Sequence, residues 1–256
     1  MTNNGQEGII PSENSLERGI DDMSSLQGKV LFPFIAPPNG GKGTQTKALS
    51  QRFNLPTVDM GGMLREVAKE DSALGRTIRE KQAAGQLVDT GIVMEVLKAG
   101  LAKLLQANQS AKGFILDGFP RNMEQTEGLF GICSELGAKL AKVFYLNVPN
   151  DVILERARNR RMCPVDSEIY NLASKPPRNG LFCDNHPDKE LIQRNDDKEE
   201  KVQERLRSFE VDTRPILNRF QESGHLVEVD GNRSAETVTG ELANIMNPFL
   251  NPTPVS

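Results

Sequence analysis

The stretch VLFPFIAPPNGGKGT, residues 30–44, decides the fold of this 256-residue chain. Its apolar first half predicts a buried strand, and the residues from Lys42 to Phe53 place apolar side chains at helical spacing. A glycine-rich loop between a buried strand and a helix turns backbone N–H groups toward an anion at the start of that helix. The stretch therefore indicates an α/β protein with a candidate phosphate-binding loop.

The loop departs in two places from the generic phosphate-binding pattern G-x-x-x-x-G-K-[ST]. Ala36 stands in place of the first glycine, and Gly43 stands in place of the hydroxyl residue, with Thr44 one position later. In the phosphate-binding interpretation, Lys42 reaches the β- and γ-phosphates and Thr44 binds Mg²⁺. On this pattern alone, that interpretation and an ordinary strand–helix turn are equally well supported.

Four more short apolar runs predict strands at 55–58, 114–116, 143–148 and 226–229, and helical patterns lie between them. Short strands that alternate with helices predict a parallel sheet covered by helices on both faces. Pro33 interrupts the first strand because it has no N–H for the sheet ladder, and we interpret it as a local bulge.

One segment lacks this alternation. Residues 161–194 contain four prolines and little periodicity, which predicts a small insertion rather than core. A helix is predicted again over 196–224, where Pro215 should kink or break it. Cys133 lies on an amphipathic helix and is expected in the core.

Composition excludes several classes of protein. The net charge is −4, with 37% apolar and 26% charged residues, a balance that does not call for nucleic acid as a partner. No apolar run reaches the roughly 18 residues that span a bilayer. Residues 1–28 lack the apolar segment of a signal peptide, and we expect a disordered extension there. Three cysteines are too few for a disulfide framework, so we expect a cytoplasmic protein.

Two motifs carry a resemblance to a known family. The segment PNGGKGTQ at 38–45 resembles the loop of adenylate kinases, usually G-x-P-G-x-G-K-G-T-Q, and DGFPR at 117–121 is a hallmark of nucleoside monophosphate kinases. Asn39 replaces a glycine of that loop, and asparagine is one of the few other residues that tolerate a positive φ. The resemblance covers about residues 29–247 and favours the phosphate-binding interpretation.

The resemblance implies a P-loop NTPase fold with a five-stranded parallel sheet, helices on both faces and a small lid insertion. It implies a monomer that reversibly transfers the terminal phosphoryl group of MgATP to AMP, giving two ADP. No general base is required, because phosphoryl transfer depends on in-line positioning and charge neutralisation. The implied division is a core at 29–58, 89–159 and 198–247, a monophosphate-binding subdomain at 59–88, a lid at 160–197 and a loose tail at 248–256.

The same resemblance assigns roles residue by residue. Six charged side chains are assigned to catalysis of the transfer: Lys42, Asp117, Arg121, Arg160, Arg194 and Arg205. Among them, Asp117 helps to hold hydrated Mg²⁺. ATP binding is assigned to the glycine-rich loop, to residues around the start of the lid and to an arginine near the C-terminal end of the core. These residues are Asn39, Gly40, Gly41, Lys42, Gly43, Thr44, Arg156, Arg160, Ile169, Tyr170 and Arg233. AMP binding falls to three further segments and shared arginines: Met60, Arg65, Gln86, Leu87, Val88, Gly118, Phe119, Pro120, Arg121, Gln125, Arg194 and Arg205.

Two alternatives to an adenylate kinase stay open. Met60 and Gly62 stand where the family pattern T-G-D-M-L-R has threonine and aspartate, which leaves open a kinase for UMP or CMP. Gln125 matches the glutamine that reads adenine and argues against this alternative. The unusual Ala36 and Asn39 leave open a relative that binds nucleotides without catalysis.

Four residues of the insertion resemble the zinc lid of many bacterial adenylate kinases. Cys163 and Asp166 are separated by two residues, as are Cys183 and His186, and sixteen residues separate the two pairs. All four side chains are zinc ligands in other proteins. Other family members carry a metal-free polar network at these positions. We favour structural Zn²⁺ here, in addition to the Mg²⁺ that accompanies ATP.

Overall fold

The computed structural model of this protein describes residues 26–252. Most of the predicted extension at 1–28 and the last four residues of the predicted tail lie outside the described residues.

Strands and helices alternate along the chain. The strands are β1 Val30–Ile35, β2 Thr57–Asp59, β3 Gly113–Asp117, β4 Lys139–Leu140, β5 Val143–Asn147, β6 Arg160–Met162, β7 Ile169–Asn171 and β8 Leu226–Asp230. The α-helices are α1 Lys42–Phe53, α2 Met60–Lys69, α3 Ala73–Ala83, α4 Thr90–Ala107, α5 Met123–Leu136, α6 Asn150–Asn159, α7 Glu199–Ser208, α8 Arg214–Glu222 and α9 Ala235–Leu250.

Five parallel strands form the main sheet in the order β2-β3-β1-β5-β8, and the two-residue β4 pairs with β1 beside them. The prediction of an α/β fold with a parallel sheet between helices is confirmed. Phe34 of β1 lies opposite Asp117 of β3. Because parallel strands end at the same edge, the glycine-rich loop and the DGFPR segment emerge side by side.

Side chains alternate between two apolar layers, one on each face of the sheet. Leu31 and Phe114 belong to one buried cluster, whereas Phe32, Phe34 and Ile115 belong to the other. Burial on both faces explains why the strands read as continuous apolar runs rather than as alternating patterns.

Pro33 fits into the central strand because the neighbouring strand is interrupted there. Leu31 pairs with Leu140 and Phe34 pairs with Phe144, so three residues at 141–143 lie opposite two residues of β1. This two-against-three arrangement is a bulge, in which one ladder position has no partner. The bulge interpretation of Pro33 agrees with this register.

Two predicted boundaries were wrong. The helix predicted over 196–224 is divided into a 3₁₀ turn at Asn195–Asp197, α7, a π-helical segment at Phe209–Thr213 and α8. The backbone stays helical from the π-helical segment into α8, so Pro215 follows an interruption of the α-helical hydrogen-bond pattern without ending the helix. The last helix continues through Pro248 to Leu250, so the predicted tail begins as helix.

Cys133 is partly buried and packs against the larger apolar cluster, as expected. Across residues 26–252, the helices are too short or too polar to cross a bilayer.

Gly113 allows β1 and β3 to approach closely, which predicts a specific weakness of the sheet. A methyl group on this glycine would lie 2.1 Å from the carbonyl oxygen of Val30. We expect Gly113→Ala to lower the free energy of unfolding in urea by about 1–3 kcal/mol, because backbone must move. Gly131→Ala is the matched control, since its methyl group meets open space on helix α5. The control should be neutral or more stable by up to about 1 kcal/mol, and equal effects of both variants would contradict the prediction.

Candidate active site

The glycine-rich loop is shaped by two residues with positive φ. Asn39 has φ 57° and Gly41 has φ 86°. A side chain at Gly40 would lie 2.9 Å from the carbonyl oxygen of Pro37. Gly41 is the N-cap of α1 and offers no side-chain cap, so the start of this helix is left open to an anion.

Lys42 pairs with Asp117 across β1 and β3, where the two strands end. The other carboxylate oxygen of Asp117 accepts a hydrogen bond of 2.8 Å from Thr46 Oγ1. Burial, together with the positive charge of Arg121, lowers the pKa of Lys42 to about 7. Bound phosphates would reverse this shift, because a nearby anion favours the protonated amine.

Arg121 is held by the DGFPR turn and by two neighbouring helices. Its Nε donates to the carbonyl of Gly118 at 2.9 Å, and its backbone N–H donates to Gln125 Oε1 at 2.8 Å. The hydroxyl of Thr213 donates to the Arg121 carbonyl at 2.8 Å. Phe119 and the residue after it, Pro120, are buried and anchor the turn in the core.

Lys42 and Arg121 face the same small space above Gly118. A methyl group on Gly118 would lie 3.0 Å from Arg121 Nη2 and 3.6 Å from Lys42 Nζ. Burial lowers the pKa of Arg121 as well. The two positive charges repel each other, and a polyanion between them would remove the repulsion.

Three further arginines around the insertion share two carboxylates. Arg160 donates to both oxygens of Asp197, at 2.7 Å from Nε and 2.5 Å from Nη2. Arg194 donates to both oxygens of Asp196, at 2.9 Å and 2.7 Å. Arg205 Nη1 lies 3.3 Å from the same Asp196. The two forks fix the planes of Arg160 and Arg194.

The electrostatics of this group resemble those at Lys42. The pKa of Arg205 is lowered to about 10, chiefly by burial. The negative charge of Asp196 opposes this shift, and the positive charge of Arg121 adds to it. Burial raises the pKa of Asp196, but the guanidinium groups of Arg194 and Arg205 outweigh it, and the net shift is downward. Asp197 is only 1% exposed, and Arg160 is its ion-pair partner.

Arg156 lies beside the glycine-rich loop, as its predicted ATP-binding role requires. Its Nη2 donates to the Gly231 carbonyl at 2.9 Å, and its Nη1 lies 3.7 Å from the position of a side chain on Gly41. Arg233 instead pairs with Glu241 and donates to the Asp230 carbonyl. The structure therefore brings Arg156, but not the Arg233 side chain, against the loop.

Tyr170 was predicted to lie where the lid covers the base of ATP. Its side chain is 3% exposed and packs with Cys163, Cys183 and Leu191 inside the lid. Its hydroxyl accepts from the backbone N–H of Asp184 at 3.0 Å. Ile169, which is 37% exposed, is the member of the predicted pair that remains accessible.

In the predicted monophosphate-binding subdomain, Asp59 fixes the start of helix α2. Asp59 caps helix α2 by accepting from the Gly62 N–H at 3.0 Å, and its carboxylate lies 3.6 Å from Arg65 Nη2. The side chain of Met60, which was assigned to AMP binding, is 2% exposed and packs in the core cluster. Gln125 is buried, and its Oε1 accepts a hydrogen bond from the backbone N–H of Arg121.

The predicted segment at 85–88 lies against helix α7. A side chain on Gly85 would lie 2.8 Å from Glu204 Cδ, and Lys201 Nζ donates to the Ala83 carbonyl at 3.0 Å. Gln86 is exposed, Leu87 is half-buried and Val88 is buried. The end of the subdomain at 59–88 thus lies beside helix α7, which carries Arg205.

The four predicted metal ligands converge in the lid. One ligand atom from each of Cys163, Asp166, Cys183 and His186 lies within 4.8 Å of the others. His186 Nδ1 is 3.5 Å from Cys163 Sγ, 3.7 Å from Cys183 Sγ and 3.5 Å from Asp166 Oδ2. Two thiols, one carboxylate and one imidazole form a donor set suited to Zn²⁺.

Hydrogen bonds tune two of these ligands. Burial raises the pKa of Cys183, but hydrogen bonds with Cys163 and His186 outweigh it and bring the pKa to about 7. The side chain of Asn185 and the backbone N–H of Glu168 lower the pKa of Asp166 to about 2. A thiolate and a carboxylate are the charged forms that bind a divalent cation.

Sequence reasoning missed three residues that position the cations. Thr46 was detectable, because it lies one helical turn after Lys42 on the same face of α1. Asp196 and Asp197 lie two and three residues after Arg194 in the chain, but their hydrogen bonds to Arg160 and Arg205 depend on the fold.

Comparison with known proteins agrees with this site. The family described as adenylate kinase matches residues 34–225. Adenylate kinases of Kosmotoga olearia, Archaeoglobus fulgidus and Oceanobacillus iheyensis are 39%, 37% and 35% identical to the chain. These alignments cover 81%, 83% and 82% of the chain and 94%, 96% and 95% of the three relatives. The predicted resemblance is confirmed, and the chain belongs to the adenylate kinase family.

Proposed function

We propose that the chain transfers the terminal phosphoryl group of MgATP reversibly to AMP, giving two ADP. The observation that carries this proposal is the presence of two groups of cations. Lys42 and Arg121 face the space above Gly118, and Arg160, Arg194 and Arg205 are held by Asp196 and Asp197. Relatives named adenylate kinase support AMP as the acceptor. The reaction supports adenine nucleotide homeostasis.

The donor nucleotide occupies the glycine-rich loop. Backbone N–H groups of Gly40 to Thr44 surround its β-phosphate at the start of α1, and Lys42 neutralises the phosphoryl group in transit. Thr44 and the carboxylate of Asp117 hold the hydrated Mg²⁺ that arrives with ATP. Arg156 contributes from beside Gly41.

The acceptor occupies the opposite side, between the segment at 59–88 and the DGFPR turn. Arg65 and Arg121 bind the phosphate of AMP, and Gln125 with the backbone at 86–88 holds the base. An oxygen of the AMP phosphate attacks the γ-phosphorus while the bond to the β–γ bridging oxygen breaks. No proton moves in this step, because the phosphate monoester is already an anion near pH 7.

Arg160, Arg194 and Arg205 neutralise the charge that spreads over the transferring group. The planes of Arg160 and Arg194 are fixed in advance by Asp197 and Asp196, so little reorganisation is needed during the step. The lid closes over the nucleotide and excludes water, which would otherwise accept the phosphoryl group.

The lid holds one structural Zn²⁺ through Cys163, Asp166, Cys183 and His186. The ion would fix the loops that carry these side chains and takes no part in phosphoryl transfer. The chain works as a cytoplasmic monomer on free nucleotides, without nucleic acid or membrane.

Acceptor competition tests the proposed function. With MgATP and equal concentrations of AMP, UMP and CMP, we expect ADP formed from AMP to dominate, since Gln125 is placed beside Arg121. Products are separated by ion-exchange chromatography. Faster phosphorylation of UMP or CMP would establish the alternative kinase that Met60 and Gly62 leave open. Nucleotide binding without any transfer would establish a catalytically impaired relative.

A charge-preserving substitution tests the role of Arg121. Arg121→Lys keeps the positive charge but removes the planar fork, and we expect kcat to fall on the order of 100-fold. Arg158→Lys is the matched control, because Arg158 is exposed and pairs with Glu199 away from the cluster. Steady-state rates in both directions measure the effect, and circular dichroism verifies the fold. Equal rates for the two variants would remove Arg121 from the mechanism.

Metal analysis tests the zinc site. Reduced, chelator-washed protein should contain one zinc per chain, and Cys183→Ser should lose both the zinc and part of its thermal stability. Cys133→Ser, outside the lid, should keep the metal. Wild-type protein without stoichiometric zinc would show that the four residues form a metal-free polar network.

A further inference from the structure

Asn39 carries the only polar side chain between Ala36 and Lys42. Its Oδ1 and Nδ2 atoms are both buried, and neither has a hydrogen-bond partner within residues 26–252. In the same part of the chain, the other buried side-chain atom without a partner is Thr57 Oγ1. A buried amide without partners is unfavourable and calls for an explanation.

The backbone at this position adds to the cost. Asn39 has φ 57°, a conformation that glycine adopts without strain. Glycine, the residue that the resembling loop pattern places here, would avoid both the strained backbone and the unsatisfied amide. An asparagine with two unfavourable features inside a functional loop is explained by a contact that forms only when a ligand is bound.

Phosphate oxygens are the partners that a nucleotide would bring to this loop. They accept hydrogen bonds and do not donate them when fully ionised, so the donor Nδ2 is the matching atom of the amide. Hydrogen bonds to ionised acceptors are roughly twice as strong as bonds between neutral groups. Oδ1 would then accept from a water molecule of the hydrated phosphates.

We propose that the Asn39 side-chain amide donates from Nδ2 to a phosphate oxygen of bound ATP, as a binding group beyond the backbone of the loop. This inference rests on the proposed function, because it requires ATP in the glycine-rich loop. It assigns to the side chain a contact that a glycine at this position cannot make.

Two substitutions separate this role from a structural one. Asn39→Gly removes the amide and relieves the backbone, so kcat/KM for ATP should fall about 10-fold to 100-fold while the Tm stays equal or rises. Asn39→Asp keeps the size of the side chain but replaces the donor by a carboxylate, so kcat/KM for ATP should fall further. The KM for AMP should stay within about twofold in both variants, since the contact is to the donor nucleotide.

Asn54→Gly is the matched control. Asn54 also has a positive φ, 50°, but it is exposed and caps the end of α1. This substitution makes the same change of residue type without touching the loop, and kcat/KM for ATP should stay at the wild-type value. ATP binding to each variant is also measured by titration calorimetry, which reports the contact without turnover.

Wild-type affinity and kcat/KM for ATP in Asn39→Gly would overturn the inference and leave the proposed function intact, provided that the wild type phosphorylates AMP. A lower Tm in Asn39→Gly that accounts for its loss of activity would also overturn it, because the side chain would then be structural. A wild-type protein that fails to phosphorylate AMP contradicts the proposed function instead.

Discussion

The ion pair between Lys42 and Asp117 joins the glycine-rich loop to the neighbouring strand at the carboxyl edge of the sheet. Lys42 begins helix α1 and Asp117 ends β3, so the pair forms only when β1 and β3 lie in register. Thr46 holds the second carboxylate oxygen and fixes the direction of the pair. The position of Arg121, four residues after Asp117, follows from the same register.

Cations outnumber carboxylates around this pair, and the imbalance defines the site. Arg160, Arg194 and Arg205 are balanced by only Asp196 and Asp197, while Arg121 donates to a backbone carbonyl. A site with an excess of positive charge is suited to a polyphosphate, whose charges complete the balance. Fold, electrostatics and family membership therefore point to the same chemistry.

The sequence allowed the fold and most of the site to be predicted, because strand–loop–helix order and the DGFPR segment are local features. The packing of single side chains could not be predicted in this way. Tyr170 and Met60 were assigned to nucleotide binding by resemblance, and the structure places both side chains in apolar clusters. Asp196 and Asp197 were missed as positioning groups, since their contacts span elements distant in sequence.

The proposed mechanism depends on direct transfer of a phosphoryl group between two nucleotides at the cation cluster. The most direct test supplies ATP labelled in its γ-phosphate, together with AMP and Mg²⁺, and follows the label by chromatography. We expect the label to appear in ADP, unlabelled ADP to form in equal amount and inorganic phosphate to stay at background. Label that remains in ATP, or that appears as inorganic phosphate, would contradict it.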